Sequence, residues 1–464
     1  MDFNKIIDRY KDELIKSTQE LLRIKSVAKG DAGEGKPFGE DVAKCLDVAL
    51  KISEQLGFKT CNIDGYAGYA EYGEGEDYIG VLGHIDVVPE GDGWLYPPYG
   101  AEIHDNRIYA RGAIDDKGPT IAALYGLKAI KESGVKLSKK VRIIFGTNEE
   151  NGSTEIEYYL SKEKPPVAGF TPDADFPIIH AEKGITMFNV VKNLNIKPKE
   201  DITIKYIKGG HRPNMVPDYC ETMVISKNPY DIEHSAMEFA KEKGYEFKTE
   251  VKDNSVVIKS YGVSAHGSTP ELGKNAVMQL LSFLGTLNLG ECDIANFINF
   301  FNKYVGFEID GKSFGVYLED KASGKLSFNV GVIEMDEDKV SMALNLRYPV
   351  TYKYEDMMNP FNERISEIGL KIENMIHQKP LYYPEDHSLI KTLQKVYTEQ
   401  TGQRATLLAI GGGTYAKEMP NIVAFGPIFP GKPNLCHQVN EYIEIDDLIL
   451  SAKIYAHAIY ELAK

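Results

Sequence analysis

Hydrophobic positions follow two styles along the chain. In the first third and near the C-terminus, short solid apolar runs alternate with segments of helical spacing. Tyr78-Ile79-Gly80-Val81-Leu82 is one such run, and VRIIFGTNEE (141–150) and VAGFTPDADFPI (167–178) contain others. Strands that are apolar on both faces belong in parallel sheets covered by helices. GPTIAALYGLKAIKESG predicts a helix with Ile121, Leu124 and Tyr125 on one face, Pro119 in its first turn and Gly134 at its end. A helix around Ser388–Thr401, the segments ATLLAIGGGTYA and NIVAFGPIF, and a last helix from about Asp446 repeat this style.

From about Lys183 to Lys379 the strands alternate instead. TMFNVVKN, SVVIKSYGV and KVSMALNLRYPV read as antiparallel strands with one solvated face. The pattern predicts an α/β core with a mostly parallel sheet flanked by helices, assembled from residues 1–182 and 381–464. Residues 183–380 would be an inserted α+β domain, long enough for two small subdomains.

Composition narrows the function classes. The 464 residues hold 53 Lys and Arg against 68 Asp and Glu, a net charge of −15, which argues against nucleic acid and anionic membranes as partners. No apolar run reaches the ~20 residues of a membrane span. The opening MDFNKIIDRYKDELIKS alternates charge at helical spacing and lacks a signal-peptide core. Five scattered cysteines, with no C-x-x-C, predict a reducing cytoplasm, no disulfides and no thiolate metal site. Cys436, beside His437, reads as a buried structural thiol. Neither G-x-G-x-x-G nor a P-loop is present, which argues against nucleotide binding.

The chemistry concentrates where the solid strands end. In an extended chain His84 and Asp86 share a face, and a neighbouring carboxylate fixes an imidazole's tautomer. Asp115 and Asp116 follow IYARG, Glu149 and Glu150 follow VRIIFGTN, and Asp173 and Asp175 follow VAGFTP. His437 follows NIVAFGPIF through a loop. Singly, each is an ordinary loop acid or helix cap. Together they lie where open parallel sheets bind ligands, beyond the carboxyl ends of the strands. Converging carboxylates repel unless cations neutralise them, and this set exceeds what one ion needs. Two divalent ions fit, with one of the adjacent Glu149 and Glu150 ligating and the other handling a proton.

GHIDVVPEGDGW, RGAIDDKGP, FGTNEENGS, TPDADFPI, VSAHGSTPELGKNA, GGGTYA and NLCHQVNE occur in this order. Together they resemble the di-zinc aminoacylase/carboxypeptidase superfamily of metallopeptidases, closest to the bacterial dipeptidase V, carnosinase-like type. The resemblance runs from about residue 5 to the C-terminus. It implies a zinc-peptidase-like catalytic domain whose insert serves as a lid. By position, His84 and Asp173 match the terminal ligands of one metal, and His437 and Glu150 those of the other. Asp115 matches the bridging carboxylate, joined to Asp116 by a cis peptide, and Asp86 matches the acid that orients His84. Glu149 matches the general base that activates a metal-bridging water, and His266 the histidine that stabilises the oxyanion. Asn214 and Arg347 match residues that hold the substrate's far end. Gly411, Gly412, Gly413 and Thr414 would offer backbone N–H groups, at a following helix start, to a free C-terminal carboxylate. The implied enzyme is a monomeric cytoplasmic dipeptidase acting on unblocked dipeptides with two divalent ions, zinc first and manganese or cobalt next. The alternatives within the superfamily are an aminoacylase, a carboxypeptidase or an N-deacylase. An inactive scaffold would lack a ligand or the base, and none is missing.

Overall fold

The computed structural model describes residues 2–198 and 201–464. It divides into two compact units, residues 1–180, 383–408 and 414–464 in the first and 181–382 with 409–413 in the second. The short stretch 409–413 carries the three glycines of GGGTYA and groups with the second unit, not with the flanking C-terminal segments.

The first unit is built on a sheet in the order Lys59–Ile63, Ala67–Tyr72, Lys140–Gly146, Tyr78–His84, Ala168–Thr171 and Ile422–Ala424. The first two strands join antiparallel, and the last four run parallel. Every residue of Tyr78–His84 is buried, as its solid apolar run requires with a parallel strand on each side. Helix Lys117–Ser133 packs against this strand and against the C-terminal helix Ile445–Ala463. Gly126 permits that helix contact, because a Cβ there would lie 2.9 Å from the Ala456 nitrogen. Ile121, Leu124 and Tyr125 are buried, Pro119 lies in the first turn, and Gly134 caps the helix in the left-handed conformation. Helix Ser388–Thr401 is as the periodicity predicts. The N-terminal segment is two helices, Phe3–Arg9 and Lys11–Leu22, with Tyr10 between them.

The second unit carries one continuous eight-stranded antiparallel sheet. Its order is Glu246–Lys252, Ser255–Tyr261, Tyr219–Ile225, Thr203–Gly209, Ser327–Met335, Lys339–Tyr348, Gly184–Asn193 and Lys371–Gln378. Strands Tyr219–Ile225 and Ser255–Tyr261 alternate buried and half-buried positions, the expected mark of a sheet covered on one face. Helices Pro229–Lys243, Ala276–Leu284, Asp293–Tyr304 and Tyr354–Ser366 share one apolar core with it. The pairing of Thr203–Gly209 with Ser327–Met335 joins what could have been two small sheets into one.

Candidate metal centre

The parallel strands of the first unit deliver their polar ends to one place. His84 is the last residue of its strand, and Glu149 and Glu150 open a 3₁₀ turn just after strand Lys140–Gly146. Asp173 follows strand Ala168–Thr171. Asp115 precedes helix Lys117–Ser133, and the Asp115–Asp116 peptide is cis.

Asp115 stands between the two histidines. Its Oδ1 lies 2.9 Å from His84 Nε2 and its Oδ2 lies 3.2 Å from His437 Nε2. Asp173 Oδ2 is 3.7 Å from His84 Nε2, and Glu150 Oε2 is 3.1 Å from His437 Nε2. Ligand atoms of His84, Asp115 and Glu150 lie within 4.8 Å of one another, and so do those of His84, Glu149 and Asp173.

A ring of supporting bonds fixes these groups. His84 Nδ1 is 3.1 Å from the Asp86 carbonyl oxygen and 3.5 Å from Asp86 Oδ1, which leaves Nε2 facing Asp115. The Asp86 carboxylate also accepts the backbone N–H groups of Glu149 and Glu150, at 3.1 Å each. Asp86 therefore anchors the acids as well as the histidine. Asp116 turns away from the cluster and accepts the His84 backbone N–H at 3.2 Å and the Thr120 hydroxyl at 2.9 Å. Gly83 is needed beneath it, since a Cβ would meet Asp116 Oδ2 at 2.5 Å. Asp175 is half-buried in the short strand Ala174–Asp175.

Electrostatics give the cluster its character. Burial alone would lower the His84 pKa, but hydrogen bonds to Asp115 and Asp86 outweigh it and raise it well above the ordinary value. Hydrogen bonds to Asp115 and Glu150 push His437 up to about 10. Burial raises Asp115, yet its bonds to His437 and His84 prevail and hold it low. Asp173 and Glu150 are raised, first by burial and then by neighbouring carboxylates. Glu149 is pushed up to about 8, mainly by burial and then by the charges of Glu150, Asp115 and Asp86, against the lowering pull of His84. Burial and the charges of Asp115 and Asp173 keep the half-buried Cys436 a thiol.

Five oxygen-bearing acids and two imidazoles on so small a space suit a pair of divalent ions, and without them the cluster must hold protons. Loading metal into metal-free protein at neutral pH should therefore release protons, because His437 and Glu149 hold theirs below about 10 and about 8. The sign requires metal affinity to rise with pH. Titration calorimetry in two buffers of different ionisation enthalpy measures the release; equal heats in both would refute it.

The sequence matches peptidase family M20/M25/M40 over residues 80–461. The chain belongs to this family. It is a hydrolase, and its family implies divalent metal ions. Over 469 aligned positions it is 43% identical to a Bacillus subtilis (strain 168) protein named "Putative dipeptidase YtjP", covering all of both chains. A Staphylococcus epidermidis protein with the name "Putative dipeptidase" is 38% identical, covering 98% of this chain and 97% of that protein. The M20 chain also shares its fold with human carnosine dipeptidase 1, at TM-score 0.58 and 16% identity over 100% and 99% of the two chains. Aminoacylhistidine dipeptidase from Vibrio alginolyticus matches at TM-score 0.59 and 13% identity over 96% of each. No helix among the described residues of this M20 peptidase is long and apolar enough to cross a membrane.

The remaining candidates lie mostly in the second unit. His266 Nδ1 is 2.6 Å from the Ser268 hydroxyl and accepts the Ser268 backbone N–H at 3.4 Å. Its Nε2 lies 3.5 Å from Arg347 Nη2. Burial, then the Arg347 charge, lowers the His266 pKa and keeps the ring neutral. Arg347 is buried, donates to Asn345 Oδ1 at 2.9 Å and to the Gly411 carbonyl at 2.5 Å, and has no acidic partner among the described residues. The Asn214 carbonyl accepts the Gly267 N–H at 2.7 Å. Gly411 packs against Ser268, where a Cβ would lie 2.6 Å from that of the serine. The helix expected after GGGTYA is a three-residue 3₁₀ turn, Tyr415–Lys417, capped by the Thr414 hydroxyl on the Ala416 N–H. So short a turn has no macrodipole to offer an anion.

Sequence reading missed four buried residues beside the metal centre. Tyr415 sets its ring edge-on to His84 and bonds its hydroxyl to buried Glu155, with Gly146 leaving the space. Glu155 lies in a helix and carried no motif of its own. Arg111 and Glu441 were inside quoted motifs, but nothing in their spacing shows that they pair.

Proposed function

We propose that this M20 peptidase is a di-metal dipeptidase acting on short peptides with an unblocked amine and a free C-terminal carboxylate. The observation that carries the two-ion reading is Asp115, which turns one carboxylate oxygen toward each histidine. His84 and Asp173 would hold one ion, His437 and Glu150 the other, and Asp115 would serve both. When bound, the ions polarise the scissile carbonyl and acidify a water.

The protein's own groups then divide the work. Glu149 is the general base. Its carboxylate accepts no hydrogen bond among the described residues, and burial holds it near the working pH, where proton transfer in both directions is efficient. It takes the proton of the attacking water and returns it to the departing amine. Asp86 holds Glu149 and Glu150 through their backbones, so base and ligand keep their places. His266 stabilises the oxygen that gains charge at the scissile carbonyl. Arg347 receives the substrate carboxylate with Asn214, Gly411, Gly412, Gly413 and Thr414. A buried guanidinium without an acid is an incomplete pair, and burial already pulls its pKa down to about 10. The length of the insert favours a monomer, the five scattered cysteines a reducing cytoplasm, and the histidine and carboxylate donors zinc, with manganese or cobalt next.

Substrate end groups test this reading. A dipeptide should be cleaved at least about 100-fold more efficiently, in kcat/KM, than the same dipeptide with a C-terminal amide, because a buried charge left unpaired is costly. Faster turnover of an N-acyl amino acid would assign the chain to the aminoacylases or N-deacylases instead.

A further inference from the structure

We propose that the buried Arg111–Glu441 pair is a positioning element that sets the spacing of Asp115 and His437, and with it the affinity for the ion assigned to His437 and Glu150. The proposal rests on the two-ion reading above. Both side chains are almost wholly enclosed, and Arg111 Nη1 lies 2.8 Å from Glu441 Oε2.

Glu441 is bonded on every side by donors. Its Oε1 accepts the backbone N–H groups of Ile114 at 2.9 Å and Asp115 at 3.3 Å, and its Oε2 accepts that of Gly112 at 3.1 Å. One carboxylate thus shapes the turn that ends at the bridging aspartate. Arg111 reaches the other way. Nη1 donates to the Gln438 carbonyl at 3.0 Å, and Nη2 to the His437 carbonyl at 3.3 Å. Nη2 also approaches the carbonyls of Pro89 and Glu90, just beyond His84 and Asp86. His437 itself sits at φ 64, a left-handed conformation that a histidine keeps only when its surroundings hold it. Its ring is half-exposed, so packing does not supply that hold. The turn bond from the Gln438 N–H to the Leu435 carbonyl, at 3.1 Å, and the guanidinium on the His437 carbonyl do.

A pair serving stability alone would have no reason to divide its bonds between two ligand-bearing loops. Here the carboxylate grips the Asp115 loop and the guanidinium grips the His437 loop, and their mutual bond fixes the distance between them. The His84 and Asp173 side depends less on the pair, since Asp86, Asp116 and the sheet hold His84.

The test is metal titration of metal-free protein against a chromophoric chelator, with zinc and with manganese, for wild type, Arg111→Lys and Glu441→Gln. Lysine keeps the charge opposite Glu441 but cannot fork onto two carbonyls. In Arg111→Lys one ion should weaken about 10–100-fold, the range for groups that support a ligand, while the other stays within about threefold. Excess metal should restore turnover. In Glu441→Gln both ions should weaken, because the amide sets a donor against backbone donors that hold Asp115. Should Glu441→Gln fail to fold, Arg111→Lys alone decides. Unchanged affinities, equal weakening of both ions in Arg111→Lys, or a turnover loss that metal does not restore would overturn the proposal. A wild-type chain that takes only one ion would overturn the two-ion reading itself.

Discussion

Glu149→Gln should lower kcat by about 10²–10⁴-fold while the protein retains both metal ions. Glutamine preserves size and the half-buried position but accepts no proton. Glu149 is separated from its neighbour Glu150 by environment, not by chemistry. Glu150 lies 3.1 Å from His437, whereas Glu149 groups with His84 and Asp173, their ligand atoms within 4.8 Å of one another. Burial and the surrounding carboxylates raise Glu149 to about 8 in the metal-free protein. Bound cations would lower that value, so the acidic limb of the activity profile should fall below it. Glu150→Ala should instead lose metal, and added metal should recover part of its turnover. Elemental analysis of the two purified variants is the check. Full metal in Glu150→Ala with metal lost from Glu149→Gln would exchange the two roles, an outcome the grouping of Glu149 with His84 and Asp173 keeps testable.

His266→Ala should cost about 10²–10³-fold in kcat, the loss measured when one oxyanion donor is removed elsewhere, with metal content unchanged. An oxyanion donor acts only within about 3 Å of the developing charge, and His266 is far in sequence from every proposed ligand. The long insert is proposed to deliver it to the same chain's metal centre, as a lid closing over the substrate. Mixing inactive His266→Ala with inactive Glu149→Gln should then yield no activity. Recovered turnover would mean that the histidine is delivered across a dimer, and the monomer would be ruled out.

How much of this was legible in the sequence depends on the range of the interaction. Solid runs such as Tyr78–Leu82 announced parallel strands because burial on two faces requires apolar side chains at every position. The alternation in SVVIKSYGV announced the antiparallel sheet for the converse reason. Histidines and acids at strand ends could be picked out because polar residues bordering an apolar run are conspicuous, and the ordered motifs made them a family. The single eight-stranded sheet of the insert was not legible, since pairing Gly209 with Ile333 leaves no mark in either strand. Nor was the length of the element after GGGTYA, where glycine-rich sequence fits a turn or a helix start equally well.

The sequence by itself determined the two strand styles and the histidines and acids that gather at one end of the sheet, because these follow from local periodicity and residue type. Only the tertiary structure decided which oxygen of Asp115 faces which histidine, that Asp86 holds both acids by their backbones, and that Arg111 finds Glu441. The physical reason is that such contacts join residues from tens to hundreds of positions apart, through hydrogen bonds whose direction is set by packing and whose partners any polar residue could have been.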